Sequence, residues 1–150
     1  MSTVSADLVW EIVRNNNSYL VKRNTGGGVQ FSRDPLNLTN KHSRKHAGFV
    51  NEKAIGVVAN EKGGVKVVSK KNNHYSKPSA TTETVFHGGK TARKTYKAVA
   101  NQAAKSGYRP DLREAAVQRV SAIRKSQREP KPTPERKPRG NKAKKVVDEE

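Results

Sequence analysis

Ala54-Ile55-Gly56-Val57-Val58-Ala59, the turn Asn60-Glu61-Lys62-Gly63-Gly64, and Val65-Lys66-Val67-Val68-Ser69 decide the fold. Two short runs rich in β-branched residues, separated by a polar turn with glycine, predict a β-hairpin. Antiparallel neighbours need no crossover helix, so a small antiparallel sheet is the simplest architecture for them. Upstream, Tyr19–Arg23 and Val29–Ser32 repeat the arrangement around Asn24-Thr25-Gly26-Gly27-Gly28. Before that hairpin, Ser5 suits the N-cap of a helix with Asp7 in its first turn and Leu8, Val9, Ile12 and Val13 on one face. Asn15-Asn16-Asn17-Ser18 ends this helix, because short amide and hydroxyl side chains favour caps and turns.

Downstream, a polar loop over about 70–84 leads to two helices. The first is predicted from about Lys90 to Ser106, with Ala92, Tyr96, Val99 and Ala103 on one stripe and Gly107 closing it. The second begins at Pro110, carries Asp111 and Glu114 in its first turn, and aligns Leu112, Ala116, Val120 and Ile123, flanked by Val117. The predicted fold class is α+β: an N-terminal helix, a small antiparallel sheet of hairpins, two C-terminal amphipathic helices and a disordered basic tail.

Charge sets the boundaries. The 150 residues include 31 Lys+Arg against 13 Asp+Glu, a net charge of +18, with 32% hydrophobic and 5% aromatic residues. The excess is mild up to residue 60 and steep from Lys62 to Arg109, where Glu83 is the single acid. From Arg124 onward, Lys and Arg mix with Pro130, Pro132, Pro134 and Pro138 and show no apolar periodicity. Such a stretch cannot bury enough surface to offset its ordering entropy. The expected division is a folded unit over 1–128 and a disordered Lys/Pro-rich tail over 129–150, ending in Asp148-Glu149-Glu150.

Several chemistries find no support. No run approaches the roughly 18 apolar residues of a spanning helix. Cys is absent, which removes disulfides, thiolate zinc sites and cysteine nucleophiles. The opening MSTVSADLVWEIV has no basic stretch ahead of its apolar residues and does not read as a secretory signal. Asn16-Asn17-Ser18 and Asn37-Leu38-Thr39 are then idle sequons. Gly89-Lys90-Thr91 superficially matches the end of a phosphate-binding loop, but Thr84 stands where that motif requires its first Gly. Gly26-Gly27-Gly28 reads as a hairpin loop, since no helix follows it to receive a phosphate. His42 and His46 have i,i+4 spacing, yet Lys41, Arg44 and Lys45 would repel a cation, so no metal is expected. No cofactor, small-molecule substrate or membrane partner is expected, and catalysis is unsupported.

The cationic surface is the remaining signal, and a polyanion is its natural partner. Aromatic and amide groups interleave with the charge: Tyr19 by Lys22-Arg23, Tyr75 by Lys70-Lys71, Tyr108 beside Arg109. Such mixtures suit single-stranded or irregular RNA, whose bases can stack and whose edges amides can reach. The candidate RNA-binding residues are Arg14, Asn15, Asn16, Asn17, Lys22, Arg23, Lys41, His42, Arg44, Lys45, Lys70 and Lys71 in the first half. Lys90, Arg93, Lys94, Lys97, Arg109, Arg113, Arg119, Arg124, Lys125 and Arg128 follow in the second. The two late helices are expected to make most of the ordered contact, with Arg93, Arg109 and Arg113 favoured because Arg grips phosphate bidentately.

Particular stretches carry a resemblance. Ser5-Ala6-Asp7-Leu8-Val9-Trp10, Val13-Arg14-Asn15-Asn16-Asn17-Ser18-Tyr19-Leu20-Val21-Lys22-Arg23-Asn24 and Asp34-Pro35-Leu36-Asn37-Leu38-Thr39-Asn40 lead it, with His42-Ser43 and Ala54-Ile55-Gly56-Val57 behind. Tyr108-Arg109-Pro110-Asp111-Leu112-Arg113-Glu114-Ala115-Ala116 and Ser121-Ala122-Ile123 to Ser126-Gln127 continue it. Over most of residues 4–128 the chain resembles the eukaryotic large-subunit ribosomal protein L twenty-eight family. The resemblance implies a non-enzymatic constituent of the large (60S) ribosomal subunit. Its implied partners are ribosomal RNA, including an expansion segment, and neighbouring large-subunit proteins. It also implies residence on cytoplasmic ribosomes after nucleolar transit. A nucleolar assembly-factor family shares the domain but usually carries a long acidic C-terminal region. A chromatin protein with a Lys/Pro-rich tail is the alternative from another class.

Overall fold

The computed structural model describes residues 4–71, 77 and 79–134. His74, Tyr75 and positions 135–150 of the expected tail lie outside the described residues. Helix α1 (Ala6–Val13) is followed by strands β1 (Leu20–Lys22), β2 (Gln30–Ser32), β3 (Ile55–Ala59), β4 (Gly64–Lys70) and β5 (Thr81–His87). Helix α2 (Ala92–Ala104), a 3-10 turn at Pro110–Leu112 and helix α3 (Arg113–Ser126) complete the order. The fold is α+β, as the sequence predicts. All strand pairs are antiparallel, and the two hairpins belong to separate sheets, β1-β2 and β3-β4-β5.

The third strand of the larger sheet corrects the expected loop over 70–84. β5 pairs with β4 along its length, placing Val67 between Val57 and Thr84. Side chains alternate across a strand. One face therefore carries Ile55, Val57, Val65 and Val67, all buried, with Phe86 partly so. Onto this face pack Val99 and Ala103 of α2, then Leu112, Ala116 and Val120, and Leu38 joins from the loop before β3. Burying a valine contributes about 1.5–3 kcal/mol, so this one cluster supplies most of the apolar driving force. Both helical stripes face inward as their spacing predicts.

Helix α1 is oriented differently from expectation. Ser5 does cap it, its hydroxyl accepting from Asp7 N at 3.2 Å. Its buried residue, however, is Trp10, while Leu8 is 56% and Ile12 70% exposed. The reason lies across the chain: Trp10 packs against His42 with ring centroids 5.0 Å apart, and Asp7 pairs with Arg44 at 2.8 Å. Two specific contacts turn the two-turn helix away from the face its aliphatic residues suggest.

The opposite face of the three-stranded sheet carries Gly56, Val58, Val68 and Lys70. The segment from Ser32 to Asn51 lies over part of it. Asp34, 3% exposed, accepts from Leu36 N and Phe49 N, each at 2.9 Å. Buried Asn37 accepts from Thr39 N at 3.0 Å and donates to Lys41 O at 2.9 Å. These bonds, with a single bridge from Lys41 to Phe31, hold the segment beyond β2, which has no helix or strand of its own. A Cβ on Gly56 would stand 2.3 Å from Pro35 O, so the covering layer rests directly on bare backbone.

Candidate RNA interface

The candidate cations and amides fall into two groups once their partners are known. Arg109 is the clearest member of the first. Its guanidinium, 16% exposed, donates to both Asp111 carboxylate oxygens at 2.8 Å, to Lys53 O at 2.7 Å and to Lys45 O at 3.1 Å. These bonds hold the Asp111 carboxyl below the usual range. Beside it, Tyr108 donates to Lys70 O at 2.7 Å, and burial pushes its phenol upward. Tyr108-Arg109 thus fastens the start of the last helical segment to the ends of β3 and β4. Arg109, expected from the sequence to grip phosphate, has its donors engaged inside the fold.

Four further charged or aromatic candidates, Arg124, Arg44, Lys70 and His42, also make contacts within the fold, and Arg119 is half-buried. Arg124 donates to Gly88 O at 2.8 Å and Lys90 O at 3.0 Å, tying α3 to the turn before α2. Arg119 has its Nε buried without a hydrogen-bond partner among the described residues. Arg44 binds Asp7 and also donates to Asn51 Oδ1. Lys70 donates to Asn51 O at 2.7 Å and Phe49 O at 3.3 Å, and burial lowers its pKa. His42 lies on Trp10. Asn17 is the structural member of its triplet, donating to Val13 O at 3.1 Å and accepting from Tyr19 N at 3.0 Å. Arg14 makes only an exposed pair with Glu11 at 3.1 Å, which is worth little.

The second group is exposed. Asn15, Asn16, Lys22 and Arg23 surround the end of α1 and the first hairpin, with Lys41 and Lys45 on the covering segment and Lys71 after β4. Arg93, Lys94 and Lys97 stand on the outside of α2, and Arg113, Lys125 and Arg128 along and beyond α3. Lys90 stands over the Phe86 ring, 4.7 Å from its centroid. Arg93, Lys94 and Lys97 lie within five residues of one another on a single regular element, α2. Arg33, absent from the sequence reading, also points to solvent beside Tyr19, its backbone N donating to Tyr19 O at 2.8 Å.

His42 and His46 do not share a helix. The residues around them form turns, and His46 Nδ1 lies 3.0 Å from Ser43 Oγ. Among the described residues no group of three or more His, Asp or Glu is placed to hold a metal ion. Nor is any helix there long and apolar enough to cross a membrane. Gly89-Lys90-Thr91 follows an antiparallel strand, and the Thr91 side chain makes no capping bond.

A one-cluster core, arginine struts within and an exposed cationic helix face define a small basic α+β protein built to lie against a polyanion. The pattern described as the Ribosomal L28e protein family matches residues 8–126, and the chain belongs to that family. It is 42% identical to large ribosomal subunit protein eL28 of Schizosaccharomyces pombe over 132 residues, 87% of this chain and 98% of that one. The eL28 of Dictyostelium discoideum is 33% identical over 138 residues, covering 92% of this chain and all of its own length (100%). That of Caenorhabditis elegans is 35% identical over 124 residues, 83% of this chain and 91% of the other.

Proposed function

We propose that the protein is a structural constituent of the large ribosomal subunit, without catalytic function, that binds and stabilises ribosomal RNA during translation. The observation that carries this reading is family membership over residues 8–126. The distribution of charge supports it: among the described residues, exposed cations such as Arg93, Lys94 and Lys97 have no acidic partner, while Arg109 and Arg124 are bonded within the fold. Phosphate contact is the main source of affinity, and neighbouring large-subunit proteins and an expansion segment are the surroundings. Residues 1–128 act as the folded unit and 129–150 as an RNA-following tail. The protein passes through the nucleolus during assembly and resides on cytoplasmic ribosomes.

Sedimentation of the tagged full chain tests the reading. Co-migration with mature large subunits and polysomes is expected. Restriction to nucleolar precursors would make it an assembly factor, and co-migration with chromatin would overturn the ribosomal reading.

A further inference from the structure

Among the described residues, the covering segment leaves part of the sheet's second face uncovered. There a cavity of about 370 Å³ opens beside the Tyr19–Phe49 pair, whose ring centroids are 5.4 Å apart and tilted by 47°. Val58 and Val68 supply its sheet side, Pro35 and Leu36 the covering layer, and Lys70, Lys77 and Thr81 complete the lining. Its volume falls at the small end of ligand sites, and its lining is mostly apolar with a few convergent polar groups. The lining contains one acid, Asp34, and both its oxygens are taken by Leu36 N and Phe49 N. Two cations are in the lining, Lys70, whose ammonium is bonded to Phe49 O and Asn51 O, and Lys77, which is exposed.

We infer that this cavity receives an unpaired nucleobase of RNA, stacked on one ring of the Tyr19–Phe49 pair while Lys77 takes a flanking phosphate. The inference rests on the ribosomal RNA reading above and adds to it a base-holding site away from the helical face. A planar heterocycle matches two aromatic rings and two valines, and splayed-out bases are what single-stranded RNA offers to aromatic side chains. Charge selects this occupant over an apolar side chain of a neighbouring protein. An apolar side chain would gain nothing from the Lys77 ammonium in the lining, whereas a nucleotide brings its own anions.

The test uses the full chain with two hexamers, hexaadenylate and a ribose-phosphate hexamer lacking bases. Stacking makes the base-bearing hexamer bind on the order of tenfold tighter. Phe49→Leu, checked for an unchanged melting temperature, should narrow that preference, whereas Lys94→Gln should weaken both hexamers alike. Because Phe49→Leu also alters packing, a second measurement uses the unaltered chain: a photoreactive 4-thiouridine hexamer should crosslink at Tyr19 or Phe49. Equal affinity for the two hexamers, or crosslinks confined to α2 and α3, would overturn the base site while leaving RNA binding intact. Failure of both hexamers to bind removes the RNA reading and the base site together.

Discussion

Arg109 and Arg93 are both arginines in the basic half of the chain, and they do opposite work. Arg109 satisfies two backbone carbonyls and a carboxylate while mostly sheltered from water, so its loss leaves those acceptors short of partners. Arg109→Gln should lower stability by about 2 kcal/mol in urea unfolding, and Arg93→Gln should change it by less than about 0.5 kcal/mol. His46 offers a residue-scale test of pH. Burial, and then the charge of Lys45, lowers its pKa in the folded protein. The folded ring therefore gives up its proton more readily than the unfolded one. That share of stability is present at neutral pH and is lost as the medium is acidified below about pH 6.5. His46→Gln should flatten the fall in melting temperature between pH 7.5 and 5.5, relative to the parent chain, as roughly the window of histidine titration.

At the scale of elements, legibility followed periodicity. Both late helices were readable because Val99 and Ala103, then Leu112, Ala116 and Val120, recur at helical spacing and all meet one sheet face. The β3-β4 hairpin was readable from its β-branched runs. β5 was not, because Thr81-Thr82-Glu83-Thr84 looks polar; a strand on the sheet's outer side needs few apolar residues, and pairing with β4 orders it. The candidate interface was legible only as a stock of cations. Nothing in the sequence separates Arg109 or Arg124, whose partners lie 34 or more positions away for the carbonyls of Lys53, Lys45, Gly88 and Lys90, from the exposed Arg93. Phe49 had no signal at all, since its neighbour Tyr19 is brought to it only by the fold. Two predictions belong here. Changing Arg93, Lys94 and Lys97 of α2 together to Gln should preserve helicity and reduce the log–log salt slope of RNA binding by about 2. Gly56→Ala would drive a Cβ against Pro35 O, and overpacking of this kind should cost about 1–3 kcal/mol, read as a lowered melting temperature.

At the scale of the whole molecule, the end of α3 is fastened by a side chain. Gln127 accepts from Gly64 N at 3.0 Å and donates to Gly64 O at 2.7 Å, pinning the helix end to the β3-β4 turn. Limited trypsin digestion of the free protein should therefore stop at a fragment ending near Arg128. Early cleavage within 108–126 would show that α3 is not part of the folded unit. The position of β5 has a further consequence. As the outer strand of a three-stranded sheet, it presents main-chain donors and acceptors along one side, with Val85 44% exposed and Glu83 as its one acidic residue. Such an open border is a template for a second copy. Chains made in excess of the RNA they join are expected to self-associate through β5 into aggregates, and Thr82→Lys should suppress that clumping. The burden would fall on proteolytic clearance of surplus copies, making matched supply a matter of cell health.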